Sequence, residues 1–84
     1  MNKYYENTVC DRLAEAVEHA AKKRGVNIKL EVSPLGINIR MRRDLYSMNN
    51  TVSYLDLSEA KINVLPLHID KMYEEITREA KAAS

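Results

Sequence analysis

The sequence predicts a small α+β domain: a helix, three strands and a second helix (αβββα), with both helices packed on one face of a three-stranded antiparallel sheet. Two observations support this. Within Val26 to Arg43, apolar and polar residues alternate strictly on both sides of Ser33-Pro34-Leu35-Gly36, which is typical of half-buried strands. Apolar residues also recur at steps of three and four on either side of this stretch, which is typical of helices with one buried face. At 84 residues, the chain has the length of one domain, and we expect residues 1–84 to form one.

The first helix is predicted over Asn2 to Arg24. Its apolar stripe consists of Tyr5, Val9, Leu13, Ala16, Val17 and Ala20. Gly25 follows directly after the basic run Lys22-Lys23-Arg24. We therefore expect Gly25 to supply the left-handed cap of this helix, with the cations at the negative end of the helix dipole.

The alternating stretch predicts a hairpin around Ser33-Pro34-Leu35-Gly36, whose residue types fit a type I turn. A three-residue loop with a glycine bulge would set the charge of Glu31 against the apolar Ile39. Another register keeps one face apolar throughout. Its pairs are Val32 with Ile37, Leu30 with Ile39, and Ile28 with Met41. Because a one-residue slip would move every side chain to the other face, we expect a loop of two or four residues.

The third strand is predicted over Thr51 to Leu57, after a polar connection from Asp44 to Asn50 in which Asn49-Asn50 indicates a turn. Its alternation is broken, so either a bulge or a two-sided strand is required. The residues divide as Val52 and Tyr54 on one face, Leu55 and Leu57 on the other.

After the third strand, Ser58 or Asp56 is predicted to cap a short turn. Pro66 then suits the first turn of the second helix, where its missing N–H has no cost. The apolar stripe of this helix consists of Leu65, Ile69, Met72, Tyr73, Ile76, Ala80 and Ala83.

The composition makes several functions unlikely. Lys and Arg number 13 against 12 Asp and Glu, so the net charge alone does not indicate nucleic-acid or membrane binding. One cysteine cannot form an intrachain disulfide and suits a reducing setting. No apolar run reaches the ~20 residues of a membrane span, and MNKYYENTVC has no apolar segment of signal-peptide length. We expect a soluble, cytoplasmic protein that does not bind membranes.

Candidate catalytic and metal-ligating residues are sparse. His19 and His68 lie off the apolar stripes without HxxxH or CxxC spacing, so we expect solvated histidines and no metal site. Cys10 is predicted to be a small, partly buried packing residue in the middle of a helix, away from the helix N-terminus that activates cysteines. Because nucleophile–base pairs and phosphate-binding glycine loops are also missing, we expect a protein that is not an enzyme and has no cofactor.

The strongest candidate site is a basic group on the hairpin. It consists of Lys29, Arg40, Arg42 and Arg43, with Tyr46 and Tyr54 following it in the chain. In the preferred register Lys29 lies opposite Arg40 on the polar face, and the diagonal Glu31 offsets part of their repulsion. Tyrosines beside arginines are a common interface composition. These residues therefore predict a binding surface for an anionic partner.

Protein binding is the function that the sequence favours most. A three-stranded sheet has two edges, and an unprotected edge invites pairing with another chain. We therefore expect a small non-enzymatic protein-interaction module that binds a partner protein or forms a homodimer. An accessory or inhibitor protein of a phage or mobile element would suit this description.

The alternative is nucleic-acid binding through the basic hairpin face. The order helix–strand–strand–strand–helix resembles that of the double-stranded RNA-binding domain, and this resemblance implies contacts with an RNA backbone. The resemblance covers element order alone. In place of that family's lysine cluster at the start of the second helix, this chain has the apolar run Asn63-Val64-Leu65-Pro66-Leu67-His68.

Overall fold

The computed structural model describes the backbone of residues 3–83 and the side chains of residues 9–82. Its elements are α1 (Lys3–Ala21), β1 (Asn27–Val32), β2 (Gly36–Arg43), β3 (Tyr46–Ser53), α2 (Tyr54–Glu59) and α3 (Val64–Ala83). The strands form an antiparallel sheet in the order β1-β2-β3. The predicted α+β class is confirmed, with α2 as an additional short helix. The side chains of Tyr5 and Ala83, two predicted stripe members, lie outside the described residues.

The predicted register of the first hairpin is confirmed. Its apolar pairs are Val32 with Ile37, Leu30 with Ile39, and Ile28 with Met41. The Ser33 N–H donates to the Gly36 carbonyl at 2.9 Å, and the Gly36 N–H donates to the Ser33 hydroxyl at 3.2 Å. Pro34 and Leu35 therefore occupy the centre of a tight turn, and the strands continue without a bulge.

The third strand was predicted over Thr51 to Leu57, and both of these bounds are wrong. The observed strand starts before Thr51, and the residues after Ser53 belong to α2. The chain reverses at Asp44 and Leu45, and β3 begins at Tyr46 within the predicted polar connection. Asp44 has a φ of 54°, the left-handed conformation that tight hairpin turns require at their first central residue and that Asp tolerates.

The strand ends at Ser53, which caps α2 by accepting a hydrogen bond from the Asp56 N–H at 3.1 Å. The predicted caps Ser58 and Asp56 are therefore wrong, because the helix begins earlier. The start of α2 also resolves the broken alternation in this stretch. Leu57 is buried and Leu55 is 64% exposed, which a helix permits because residues two apart lie on different sides.

The core lies between the helices and one face of the sheet, as predicted. Helix α3 packs on β2 and β3, while α1 packs beside α3 and against β1. The buried residues come from β2, β3 and all three helices: Ala16, Ile37, Ile39, Met41, Val52, Leu57, Leu65, Ile69, Met72 and Ile76. The periodic patterns of both stripes thus predict the core well, although Val17 of the first stripe is 52% exposed.

The first helix ends earlier than predicted, whereas the second begins with Pro66 in its first turn. Helix α1 ends at Ala21, so Gly25, whose φ is +81°, lies in the turn that leads to β1 and does not cap the helix. Helix α3 begins at Val64, and the Asn63 side chain accepts a hydrogen bond from the Leu65 N–H at 3.2 Å. Pro66 lies in the first turn, as expected.

Candidate interaction surface on the open sheet face

One face of the sheet packs against the helices, and the opposite face carries polar side chains from all three strands. We call it the open face. The register aligns them in three rows across the sheet: Asn27, Arg42 and Ser47; Lys29, Arg40 and Asn49; Glu31, Asn38 and Thr51. This arrangement follows from the alternation in the sequence, since every second residue of a strand points to the same face. The result is one polar surface that spans all three strands.

The open face carries more positive than negative charge. Its cations are Lys29, Arg40 and Arg42, and its carboxylate is Glu31. Arg40 Nη1 lies 3.4 Å and Lys29 Nζ lies 3.7 Å from Glu31 Oε1. As predicted, this carboxylate offsets the repulsion between two cations that lie directly opposite each other. Because the side chains of Lys29 and Arg40 are 72% and 59% exposed, both remain accessible to a partner.

The third cation lies at the end of the face where the second hairpin turns. Arg42 is exposed, and its Nε donates to the Asp44 carbonyl at 3.4 Å. A shallow depression here is lined by Lys29, Arg40, Arg42 and Asn49, and by Leu45, which is 94% exposed. An exposed leucine beside two arginines gives a partner both an apolar and a charged contact.

The structure separates Arg43 from the other three cations. Consecutive strand residues point to opposite faces, so Arg43 lies on the helix-covered face while Arg42 lies on the open face. Its Nη1 donates to Thr77 Oγ1 in α3 at 2.9 Å. The predicted group of four cations therefore does not form one surface, and Arg43 connects the sheet to a helix.

The two candidate tyrosines also lie away from the open face. Tyr46 pairs with Arg43 on the helix-covered face and packs against the core. Tyr54 begins α2, and its hydroxyl donates to the Ser33 carbonyl at 2.5 Å. Both are partly buried, so the expectation that they lie beside the exposed arginines was wrong.

The histidines and the cysteine differ from their predicted environments. His19 Nε2 lies 2.6 Å from Asp70 Oδ1, and His68 Nδ1 lies 3.0 Å from Asn50 Nδ2. Each histidine is half-buried and joins two elements, so the expectation of solvated histidines was wrong. Cys10 is exposed and not partly buried. In the described part of the chain, no cluster of three or more His, Cys, Asp or Glu residues could hold a metal ion.

An ionic cluster between α1 and α3 lies on the other side of the molecule. Asp70 Oδ1 accepts from Lys23 Nζ at 2.8 Å and contacts His19. The hydrogen bond from Lys23, and then the one from His19, lower the pKa of Asp70 below its usual 3.8. Lys23 Nζ also lies 5.1 Å from the centre of the Tyr73 ring. These contacts hold the end of α1 against α3.

We expect Asp70→Asn to destabilise the protein by about 0.5 kcal/mol at neutral pH, since the pair is partly exposed and screened. Because the pKa is lower in the folded chain, the unfolded chain takes up the proton more readily. The stabilisation is therefore present above the usual pKa of 3.8 and is lost as the pH falls through the lower folded value. Urea unfolding of both proteins at a series of pH values measures this.

The exposed Glu74 on the same helix provides the control, as Glu74→Gln removes a carboxylate outside this cluster. The gap in stability between wild type and Asp70→Asn should close in acid, while Glu74→Gln should match wild type at neutral pH. A gap of constant size at every pH would contradict the assignment.

The part of the open face contributed by β3 was missed from the sequence. Ser47, Asn49 and Thr51 each add a third residue to one of the three rows, beside the polar residues of β1 and β2 that the sequence predicted. The signal was the alternation of these residues with Tyr46, Met48, Asn50 and Val52, which line the covered face. It was hidden because Asn50 interrupts the apolar series and because Asn49-Asn50 is typical of a turn.

Comparisons of the chain with known protein families, with curated proteins and with solved structures find no match. Among the described residues, no helix has the length and apolar character that crossing a membrane requires.

Proposed function

We propose that the protein is a non-enzymatic interaction module that binds an acidic partner protein through the open face. The observation that supports this is the exposure of Lys29, Arg40 and Arg42 on one face of the sheet, whose reverse side packs on the core. Arginine is enriched at protein interfaces, and complementary charge accelerates association and orients the partner. An accessory or inhibitor protein would act in this way, by covering a partner's acidic surface without chemistry.

A carboxylate among the cations favours a protein partner over a nucleic acid. Glu31 lies between Lys29 and Arg40, within 4 Å of both, and would repel a phosphate at that point. A protein partner can instead offer its own donors to Glu31, and its own amides or hydroxyls to Asn38, Asn49 and Thr51. The mixture of charged and uncharged polar groups is therefore better suited to a protein surface with both acidic and polar residues.

The test is affinity capture from the native host with wild type and Arg40→Glu/Arg42→Glu. We expect the wild type to retain an acidic protein. Once purified, this partner should bind the double variant with a dissociation constant at least about tenfold higher than for the wild type. The matched control is Arg24→Glu/Arg78→Glu, which changes the net charge equally at two exposed arginines outside the sheet. This control should bind like wild type. Equal binding by wild type and the open-face variant would contradict the proposal.

The second candidate function is binding to a nucleic-acid backbone through the same three cations. It predicts that capture is lost after nuclease treatment and that the purified protein binds single- and double-stranded oligonucleotides directly. Affinity must then fall steeply as salt rises, because phosphate contacts release counterions. Fluorescence anisotropy with labelled RNA and DNA across a salt series distinguishes the two functions.

A further inference from the structure

The outer edge of β1 has free backbone groups. The Ser33 N–H donates to the Gly36 carbonyl, so these two residues form a hydrogen-bonded pair. Such pairs alternate along an antiparallel ladder with pairs whose N–H and C=O groups point outward. In β1, the backbone groups of Ile28, Leu30 and Val32 therefore point away from β2. No strand within residues 3–83 pairs with this edge.

Apolar side chains continue to this edge on the helix-covered side. Val32 is 67% exposed and Val17 of α1 is 52% exposed. A groove separates α1 from β1, and Val17 lies in its wall. It is lined chiefly by apolar residues: Val17, Ala20, Ala21, Val26, Ile28 and Leu30, with Lys23, Asn27 and Lys29 at its rim. A chain that added a strand here would gain both backbone hydrogen bonds and apolar contacts.

The edge of β3 has a different character. Helix α3 lies beside it, and the groove between them is lined largely by polar and charged residues: Asn49, Asn50, His68, Lys71 and Glu75, with Met48 and Met72. Asn50 is already bound to His68 across this groove. The edge of β1 is thus the one where outward backbone groups and exposed apolar side chains coincide.

We propose that β1 pairs in antiparallel fashion with β1 of a second copy of the chain, around a two-fold axis at Leu30. In this register Leu30 of each copy faces Leu30 of the other, and Ile28 of each faces Val32 of the other. These are the residues with outward backbone groups, so all of them form ladder hydrogen bonds. The two sheets join into one, and the interface is isologous.

Charge complementarity selects this register. Lys29 and Glu31 lie on the open face, on either side of Leu30, and the axis brings Lys29 of each copy opposite Glu31 of the other. Moving the axis to Lys29 would place two ammonium groups opposite each other, and moving it to Glu31 would place two carboxylates opposite each other. Like charges directly across a strand pair are destabilising. The strand is thus self-complementary in one two-fold register.

This inference extends the proposed function and rests on it in one respect, that the sheet is the interacting part of the molecule. The joined sheet would present Arg40 and Arg42 of both copies on one continuous open face. An acidic partner would then contact two sets of arginines at once, which raises its apparent affinity through multivalency. Lys29 belongs to both surfaces, whereas Arg40 and Arg42 lie on the central strand and take no part in the pairing of the two edges.

The test is sedimentation velocity over a concentration series with charge variants of the edge. Wild type should show a concentration-dependent dimer. Lys29→Glu and Glu31→Lys should each raise the dimer dissociation constant at least about tenfold, because each sets like charges opposite each other twice. Mixed together, the two variants should recover dimer as a heterodimer, since one edge then carries two carboxylates and the other two ammonium groups. The double variant Lys29→Glu/Glu31→Lys should dimerise like wild type.

Lys71→Glu is the matched control, because it changes the net charge by the same amount as Lys29→Glu on α3 beside β3. It should leave the dimer unchanged. A wild type that stays monomeric at millimolar concentration, or a mixture of variants that does not associate, would overturn the inference. A monomer that still binds its acidic partner would overturn the dimer alone. A dimer that binds no acidic partner would overturn the proposed function alone.

Discussion

Gly36→Ala is expected to destabilise the protein by about 3 kcal/mol, the upper range for forcing atoms into a packed site. A Cβ at this position would overlap the carbonyl oxygen of Val52 and lie 2.8 Å from Cα of Ser53. Because both atoms belong to the backbone of β3, a change of side-chain rotamer cannot relieve the overlap. The strand would have to separate from β2 at the point where Ser53 caps α2.

The effect should extend beyond the turn itself, because the turn is attached to α2. The Tyr54 N–H donates to the Leu35 carbonyl at 3.3 Å, and the Tyr54 hydroxyl donates to the Ser33 carbonyl. A displaced β3 would therefore strain both bonds. Urea unfolding followed by circular dichroism measures the loss of stability, and hydrogen exchange of α2 shows whether the helix loosens.

Leu35→Ala is the matched control. Leu35 neighbours Gly36 in the same turn and is 77% exposed, so its truncation should change the stability by less than about 0.5 kcal/mol. If the two variants were equally stable, the close approach of β2 and β3 at Gly36 would not be a constraint of the fold.

The first hairpin could be predicted from the sequence because its determinants are local. The alternation on both sides of Ser33–Gly36 specified which residues share a face, and this in turn selected the register that the structure confirms. The second hairpin could not be predicted in the same way, because the middle of β3 depends on a residue that is distant in the chain. Asn50 lies on the covered face, where its amide is bound by His68 of α3. Without that partner, an asparagine on the covered face is unfavourable, so the sequence alone indicates a turn at Asn49-Asn50.

The candidate site was predicted in part for the same reason. Lys29, Arg40 and Glu31 are neighbours through the hairpin register, so their proximity followed from local pattern. The register also places Arg43 on the face of Ile39 and Met41, but a cation there is acceptable because Thr77 accepts its hydrogen bond. Contacts between residues so far apart in the chain have no signature in one sequence.

Arg12→Met is expected to destabilise the protein by about 2 kcal/mol, the usual contribution of hydrogen bonds from a charged group. Arg12 in α1 donates from Nη1 to the Ile62 carbonyl at 2.6 Å and from Nη2 to the Ala60 carbonyl at 2.7 Å. These carbonyls belong to the connection between α2 and α3. Methionine keeps the aliphatic length of the side chain, so the loss should come from the hydrogen bonds.

The geometry of the Arg12 guanidinium also predicts the effect of Arg12→Lys, which keeps the positive charge. Lysine at position 12 has one ammonium group and cannot donate along two parallel directions as the planar guanidinium does. Arg12→Lys should therefore lose about half as much stability as Arg12→Met. Arg78→Met, at an exposed position of α3, controls for the loss of one positive charge and should lie close to wild type. Urea unfolding ranks the three variants.

The main chain of the same residue makes a further contact, which separates this role from a simple charge effect. The Arg12 main-chain carbonyl accepts from Asn63 Nδ2 at 3.1 Å, and Asn63 in turn caps α3. Movement of the connection in Arg12→Met should therefore weaken that cap and increase hydrogen exchange in the first turn of α3. The open face lies on the far side of the sheet, so binding of the acidic partner should be unchanged while stability falls. A loss of partner binding in a folded Arg12→Met would show instead that the connection between α2 and α3 belongs to the interface.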